Sequence, residues 1–126
     1  MTARILIVDD TDHVRDMLVN ILEIQGFEVV GQASSAEEAL EQADEHRPDV
    51  VVMDYKMPGT DGLEATRGLR ERHPDLSVIL YSAYLTEELR KAAEEAGVLV
   101  CVPKTSGVEA LGREIAAAAL GLGGDD

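Results

Sequence analysis

At 126 residues the chain is long enough for one ordinary domain with a real core, and 45% hydrophobic with 29% charged residues is globular rather than disordered composition. A formal net charge of −14 repels nucleic acid phosphates and no Lys/Arg cluster offsets it, which excludes direct nucleic acid binding by this chain. No apolar run approaches the roughly 20 residues of a membrane span, no signal-peptide pattern opens the chain, and the single cysteine, Cys101, excludes an internal disulfide; the expectation is a cytoplasmic protein with no membrane partner.

In chain order, the first apolar run is ILIV (5–8), continuous and rich in β-branched residues, as a strand covered on both faces reads. Val14, Met17, Leu18, Ile21 and Leu22 then recur at helical spacing, with Gly26 as the stop. A weaker strand runs from Glu28 to Ala33, and its polar admixture marks a sheet edge. Ser35 and Glu38 form a capping box ahead of Ala36, Ala39, Leu40 and Ala43. VVVM (50–53) is a third strand, followed by a helix from Leu63 to about Arg72 that ends before Pro74. VILY (78–81) is a fourth strand. Thr86 caps a helix bearing Leu89, Ala92, Ala93 and Ala96 that stops at Gly97. VLVCV (98–102) is a fifth strand, and Ser106 with Glu109 forms a second capping box for a last helix bearing Val108, Leu111 and Ile115. Residues 1–120 make one domain, and GLGGDD (121–126) is a flexible tail or the start of a linker.

Strand and helix thus alternate five times. Such alternation implies right-handed crossovers and a doubly wound α/β fold, a parallel sheet with helices on both faces. In open parallel sheets, working residues gather beyond the carboxyl ends of the strands. Asp9 and Asp10 follow the first strand, Asp54 the third, Ser82 the fourth and Lys104 the fifth. Carboxylates brought this close repel, so the site calls for a cation or raised pKa values. Oxygen ligands at such a rim suit a hard ion, Mg²⁺ above all. His13, His46 and His73 are scattered and Cys101 stands alone, so nothing spells zinc. A metal-bound carboxylate beside a lysine and a hydroxyl is equipment for handling a phosphoryl group: cations neutralise its oxygens while a carboxylate attacks phosphorus.

The segments LIVDD (6–10), VVMDYKMPGTDGLEATRGLR (51–70), ILYSAY (79–84) and VPK (102–104) resemble the receiver domain of two-component response regulators. The resemblance covers essentially the whole chain with its motifs in order. It implies a flavodoxin-like, five-stranded parallel sheet of order 2-1-3-4-5 with five helices. It also implies that Asp54 accepts a phosphoryl group from a histidine kinase or phosphotransfer protein. Asp9 and Asp10 would organise Mg²⁺, with Asp10 the closer ligand, joined by Asp54 and the backbone carbonyl of Lys56. Ser82 and Lys104 would touch the phosphoryl oxygens. On this likeness the chain is a signalling switch that catalyses only its own phosphorylation and dephosphorylation, not a metabolic enzyme. The wording of residues 53–70 and 73–84 is similar to receivers of the NarL/LuxR type, which carry a DNA-binding helix-turn-helix domain after the receiver, so the partners implied include such a domain in a longer parent protein, and a homodimer.

Two positions depart from that pattern. Where the family often has Tyr or Phe three residues before the lysine, as a rotating switch ring, this chain has Cys101; Tyr84 is the nearest substitute. Where the family has a proline after the lysine in a cis peptide, Thr105 stands here and Pro103 precedes; a cis Lys104–Thr105 bond costs about 3 kcal/mol or more without proline. Lys56 and Tyr84, two residues beyond Asp54 and Ser82, are the positions that would govern access of water to the phosphate. Three rival functions remain. An aspartate-nucleophile phosphatase would want a second Asp where Lys56 stands. A flavin carrier would want a Ser/Thr/Gly-rich phosphate loop where DDTDHVRD (9–16) stands. A receiver-like binding module without phosphate switching is favoured only by Cys101.

Overall fold

A computed structural model of the chain describes residues 2–121. Five parallel strands form the central sheet: β1 (Arg4–Val8), β2 (Glu28–Ala33), β3 (Val50–Met53), β6 (Ser77–Ser82) and β7 (Val100–Pro103), in the order β2-β1-β3-β6-β7. The predicted fourth and fifth strands are β6 and β7, because a small antiparallel hairpin of β4 (Lys56–Met57) and β5 (Thr60–Asp61) intervenes. The order is therefore the expected 2-1-3-4-5, with the polar strand β2 at one edge. Helices α1 (Asp12–Ile24), α2 (Ala36–His46), α3 (Gly62–Arg72), α4 (Glu87–Ala96) and α5 (Val108–Ala119) make the crossovers and the close of the chain.

Each central strand alternates its side chains between two apolar layers, which is why its sequence is apolar throughout. In β3, Val51 and Met53 enter one layer with Ala39 and Ala43 of α2, Leu69 of α3 and Ala93 of α4. Val50 and Val52 enter the other, with Leu18 and Leu22 of α1 and Leu111 and Ile115 of α5. Both layers exclude water almost fully, so truncating a residue such as Leu69 or Leu111 to Ala removes about 2–5 kcal/mol. Strand ends are thereby held in register, and five loops leave the same rim.

Local signals were realised unevenly. Ser35 accepts a hydrogen bond from the Glu38 N–H at 3.2 Å, but the Glu38 carboxylate returns to the backbone and hydroxyl of Ser34 at 2.7 and 2.8 Å, not to Ser35. Thr86 accepts from the Leu89 N–H at 3.0 Å as predicted. The Ser106–Glu109 box does not form. Lys104–Ser106 winds into a 3-10 turn, and Gly107 takes the N-cap position of α5 at φ 89°, a conformation in which a side chain is strained. The fifth strand begins at Val100 rather than Val98: Val98 is buried, yet its N–H donates to Ala93 O at the end of α4. All peptide bonds among the described residues are trans, Lys104–Thr105 included. Of the predicted tail, residues 122–126 lie outside the described residues.

Candidate functional site

The chain leaves β1, β3, β6 and β7 at one rim, and each exit contributes a polar side chain. Asp9 follows β1 and is buried, its N–H donating across to Ala33 O at 3.0 Å. Asp54 follows β3, its N–H donating to Val8 O at 2.9 Å. These two backbone bonds extend the ladder by one residue and fix both carboxylates relative to each other. Asp10, Asp9 and Asp54 each bring a carboxylate oxygen within 4.8 Å of the others. Lys104 reaches back from the end of β7 and places Nζ 3.5 Å from Asp9 Oδ2 and 3.8 Å from Asp54 Oδ1.

These carboxylates differ in how they are served. Asp9 Oδ1 accepts the Thr11 N–H at 2.9 Å, and its Oδ2 faces Lys104, so both oxygens have a partner. Thr11, at the N-cap of α1, makes no side-chain cap bond. Asp10 is exposed. Asp54 receives both the Tyr55 N–H, at 2.9 Å, and Lys104 on Oδ1. Its pKa is raised to about 6, first because burial disfavours the charged form, with Asp9 and Asp10 adding to the rise and Lys104 and the Tyr55 N–H opposing it. One lysine does not balance three neighbouring carboxylates. A divalent cation among them would, and the donor set, oxygen only, fits a hard ion.

The remaining candidates divide by location. Ser82 ends β6, buried at the same rim, with Oγ 3.4 Å from Tyr84 O. Lys56 is exposed in β4, and Tyr84, 80% exposed, lies just past Ser82. Cys101 is not at the rim. It sits partway along β7, opposite Leu80, against the layer shared with α4, where burial pushes its thiol pKa up and Arg90 opposes.

Three neighbours of the site escaped the sequence reading. Gly62 opens α3 so close to the site strand that a Cβ there would stand 2.2 Å from Asp54 O. Thr66, fully buried, donates its hydroxyl to Gly62 O at 2.7 Å and ties this turn down. Tyr81, one residue before Ser82, lies beneath Lys104 Nζ, which is 5.7 Å from the ring centroid. The crowding of DG after a strand was readable as a tight loop. The Tyr81–Lys104 approach was not, since it depends on β6 and β7 being neighbours.

A half-buried strand-end carboxylate with two acidic neighbours and a lysine, on a doubly wound five-stranded sheet, defines a class of protein, and comparison with known proteins agrees. The model of the response regulator receiver domain family matches residues 5–116, and the chain belongs to that family. Response regulator GacA of Pseudomonas viridiflava is 44% identical over 106 residues, covering 83% of this chain and 50% of that protein. A LuxR-family two-component response regulator from Aurantimonas sp. SI85-9A1 superposes with a TM-score of 0.93 at 35% identity, covering 98% of this chain and 89% of that one. The CheX-CheY-BeF3-Mg+2 complex from Borrelia burgdorferi matches with a TM-score of 0.85 at 26% identity, covering 94% of this chain and 89% of that one. The chain spans about half the length of the first curated relatives it matches.

Proposed function

We propose that this receiver is a phosphorylation-activated switch in which Asp54 is the phosphoacceptor, supplied by a histidine kinase or phosphotransfer protein in the cytoplasm. The observation that carries this reading is the constellation itself: a half-buried Asp54 with Asp9 and Asp10 within 4.8 Å and Lys104 Nζ at 3.8 Å. Because Tyr55 and Lys104 both approach Oδ1, Oδ2 is the oxygen left to attack phosphorus. The bond from phosphorus to the donor imidazole nitrogen breaks, the imidazole leaves with the electron pair, and Asp54 becomes an acyl phosphate. Later attack by water restores the carboxylate and releases inorganic phosphate.

Asp10 and Asp54, with Asp9 behind them and the Lys56 carbonyl, are the groups that would hold Mg²⁺. Bound there, the ion supplies neutralisation of the phosphoryl oxygens in a reaction that depends mainly on positioning and charge. Asp9 is occupied by Thr11 and Lys104, which favours Asp10 as the closer ligand. Lys104 and Ser82 then meet the phosphoryl oxygens from the other side. That a neighbour of this fold is described with BeF3 and Mg+2 supports the same arrangement here. The output partner is a DNA-binding domain in a longer parent protein, or a second copy of the receiver; the likeness to a DNA-binding response regulator of the LuxR family from Staphylococcus aureus supports the first.

Incubation with Mg²⁺ and a small acyl-phosphate donor, followed by intact mass measurement, tests the reading. One phosphoryl adduct is expected in the native chain and none in Asp54→Asn. A second reading, a binding module with weak switching, is favoured by Cys101 where a rotating ring would stand; it predicts an adduct without a change in partner affinity.

A further inference from the structure

We propose that Tyr81 is a positioning residue for Lys104, its ring holding the ammonium between Asp9 and Asp54; this rests on the phosphoryl-transfer reading above. Tyr81 is 5% exposed and belongs to β6, where it pairs with Val102, two residues before Lys104 in β7. Sheet pairing therefore fixes the ring two residues short of the point from which the lysine stem departs. The ring is held in the apolar layer with Val102, Leu111 and Ile115 and has little freedom of its own. Lys104 Nζ stands over it at 5.7 Å from the centroid while lying 3.5 Å from Asp9 and 3.8 Å from Asp54.

The two carboxylates and the ring hold the ammonium differently. Attraction to the Asp54 carboxylate changes when that group is phosphorylated, because the charge moves outward onto the phosphoryl oxygens. Attraction to a ring face does not change, since the ring carries a fixed quadrupole and no net charge. Burial pushes the Tyr81 phenol pKa up, with Lys104 opposing, so the ring stays neutral at neutral pH. A four-carbon lysine stem is flexible and reaches a single geometry only if something limits it. Tyr81 is a constant anchor from which Nζ turns between the carboxylate and the phosphoryl oxygens without leaving the site.

The test has two arms. The chain has three lysines, Lys56, Lys91 and Lys104, so ε-¹³C labelling of lysine gives three resolvable groups. In the native protein the Lys104 ε-protons should be displaced upfield by the ring current, remain so in Tyr81→Phe, and join the other two in Tyr81→Leu. No displacement in the native protein overturns the contact, whether or not the protein takes a phosphoryl group. In the second arm, Tyr81→Leu should slow maximal labelling by a saturating acyl-phosphate donor and Mg²⁺ by about fivefold to tenfold, with Tyr81→Phe restoring the rate. In a Lys104→Met background Tyr81→Leu should then add nothing, because the partner is already gone. An equal loss in that background would assign Tyr81 to packing alone and overturn the proposal. Failure of the native chain to label at all would overturn the phosphoryl-transfer reading and the positioning role with it, while the resonance arm still decides the placement of Lys104.

Discussion

Asp54 is a carboxylate held where its charge is disfavoured, and this has a measurable consequence before any phosphate arrives. Its pKa of about 6 in the folded protein lies above the ordinary 3.8, so the fold prefers the protonated acid. Below pH 4 folded and unfolded states are both protonated and nothing is lost. Between pH 4 and 6 the unfolded chain ionises first, and stability falls as pH rises. The two values correspond to an upper figure of about 3 kcal/mol lost by pH 8 in the metal-free protein. Asp54→Asn should therefore raise the midpoint of denaturant unfolding in EDTA at pH 8 and lose that advantage at pH 4; an equal effect at both would sink this account. Lys56 and Tyr84 are exposed and lie two residues beyond Asp54 and Ser82. Replacing either with Ala should speed loss of the acyl phosphate, read as the decay of the phosphoryl adduct, and an unchanged rate would remove both from the path of water. The chemistry-bearing residues were legible because each ends an apolar run, and an apolar run ending in Asp, Ser or Lys is a visible break of pattern. Tyr81 was not, since a Tyr closing VILY reads as one more core residue.

At the scale of elements, the four buried strand runs announced themselves through continuous β-branched sequence, and the helices through their spacing. What the sequence concealed was shorter than its own periodicity. The hairpin β4–β5 has two residues per strand, too few to show alternation. Val98 and Leu99 are apolar because they pack, and although the Leu99 N–H donates to Val78 O at 2.8 Å, Val98 turns back to the end of α4, so their apolar run extended the fifth strand by two residues too many. The Ser106–Glu109 pattern was present without its structure, because Gly107 at φ 89° already starts α5. Ser106→Ala should accordingly leave the unfolding midpoint within error, whereas Ser35→Ala, which removes a formed cap, should cost about 1 kcal/mol; a matching loss at Ser106 would restore the box. Gly62→Ala should be far more damaging, since the added carbon would stand 2.2 Å from Asp54 O and the start of α3 would have to move. About 2 kcal/mol of stability should go, together with the placement of Asp54, visible as slower phosphoryl labelling.

For the whole molecule, a charge of −14 and a rim where three carboxylates converge make one prediction together. Mg²⁺ held at that rim in the folded state and not by the unfolded chain would raise thermal stability, by about 2.7 kcal/mol at a hundred times Kd. The gain should disappear in Asp10→Asn, and a gain that survives would place the cation elsewhere on this acidic surface. The sheet gathers the site at its strand ends, and the chain spans about half the length of the first curated relatives it matches. The proposed switch depends on Asp54 carrying the phosphoryl group. The most direct measurement is to treat the protein with Mg²⁺ and an acyl-phosphate donor, reduce with borohydride, and map the peptides by mass, since reduction of an aspartyl phosphate leaves homoserine. Homoserine at position 54 and nowhere else is the expected result; homoserine at Asp9 or Asp10, or at no position in a folded protein, would contradict it.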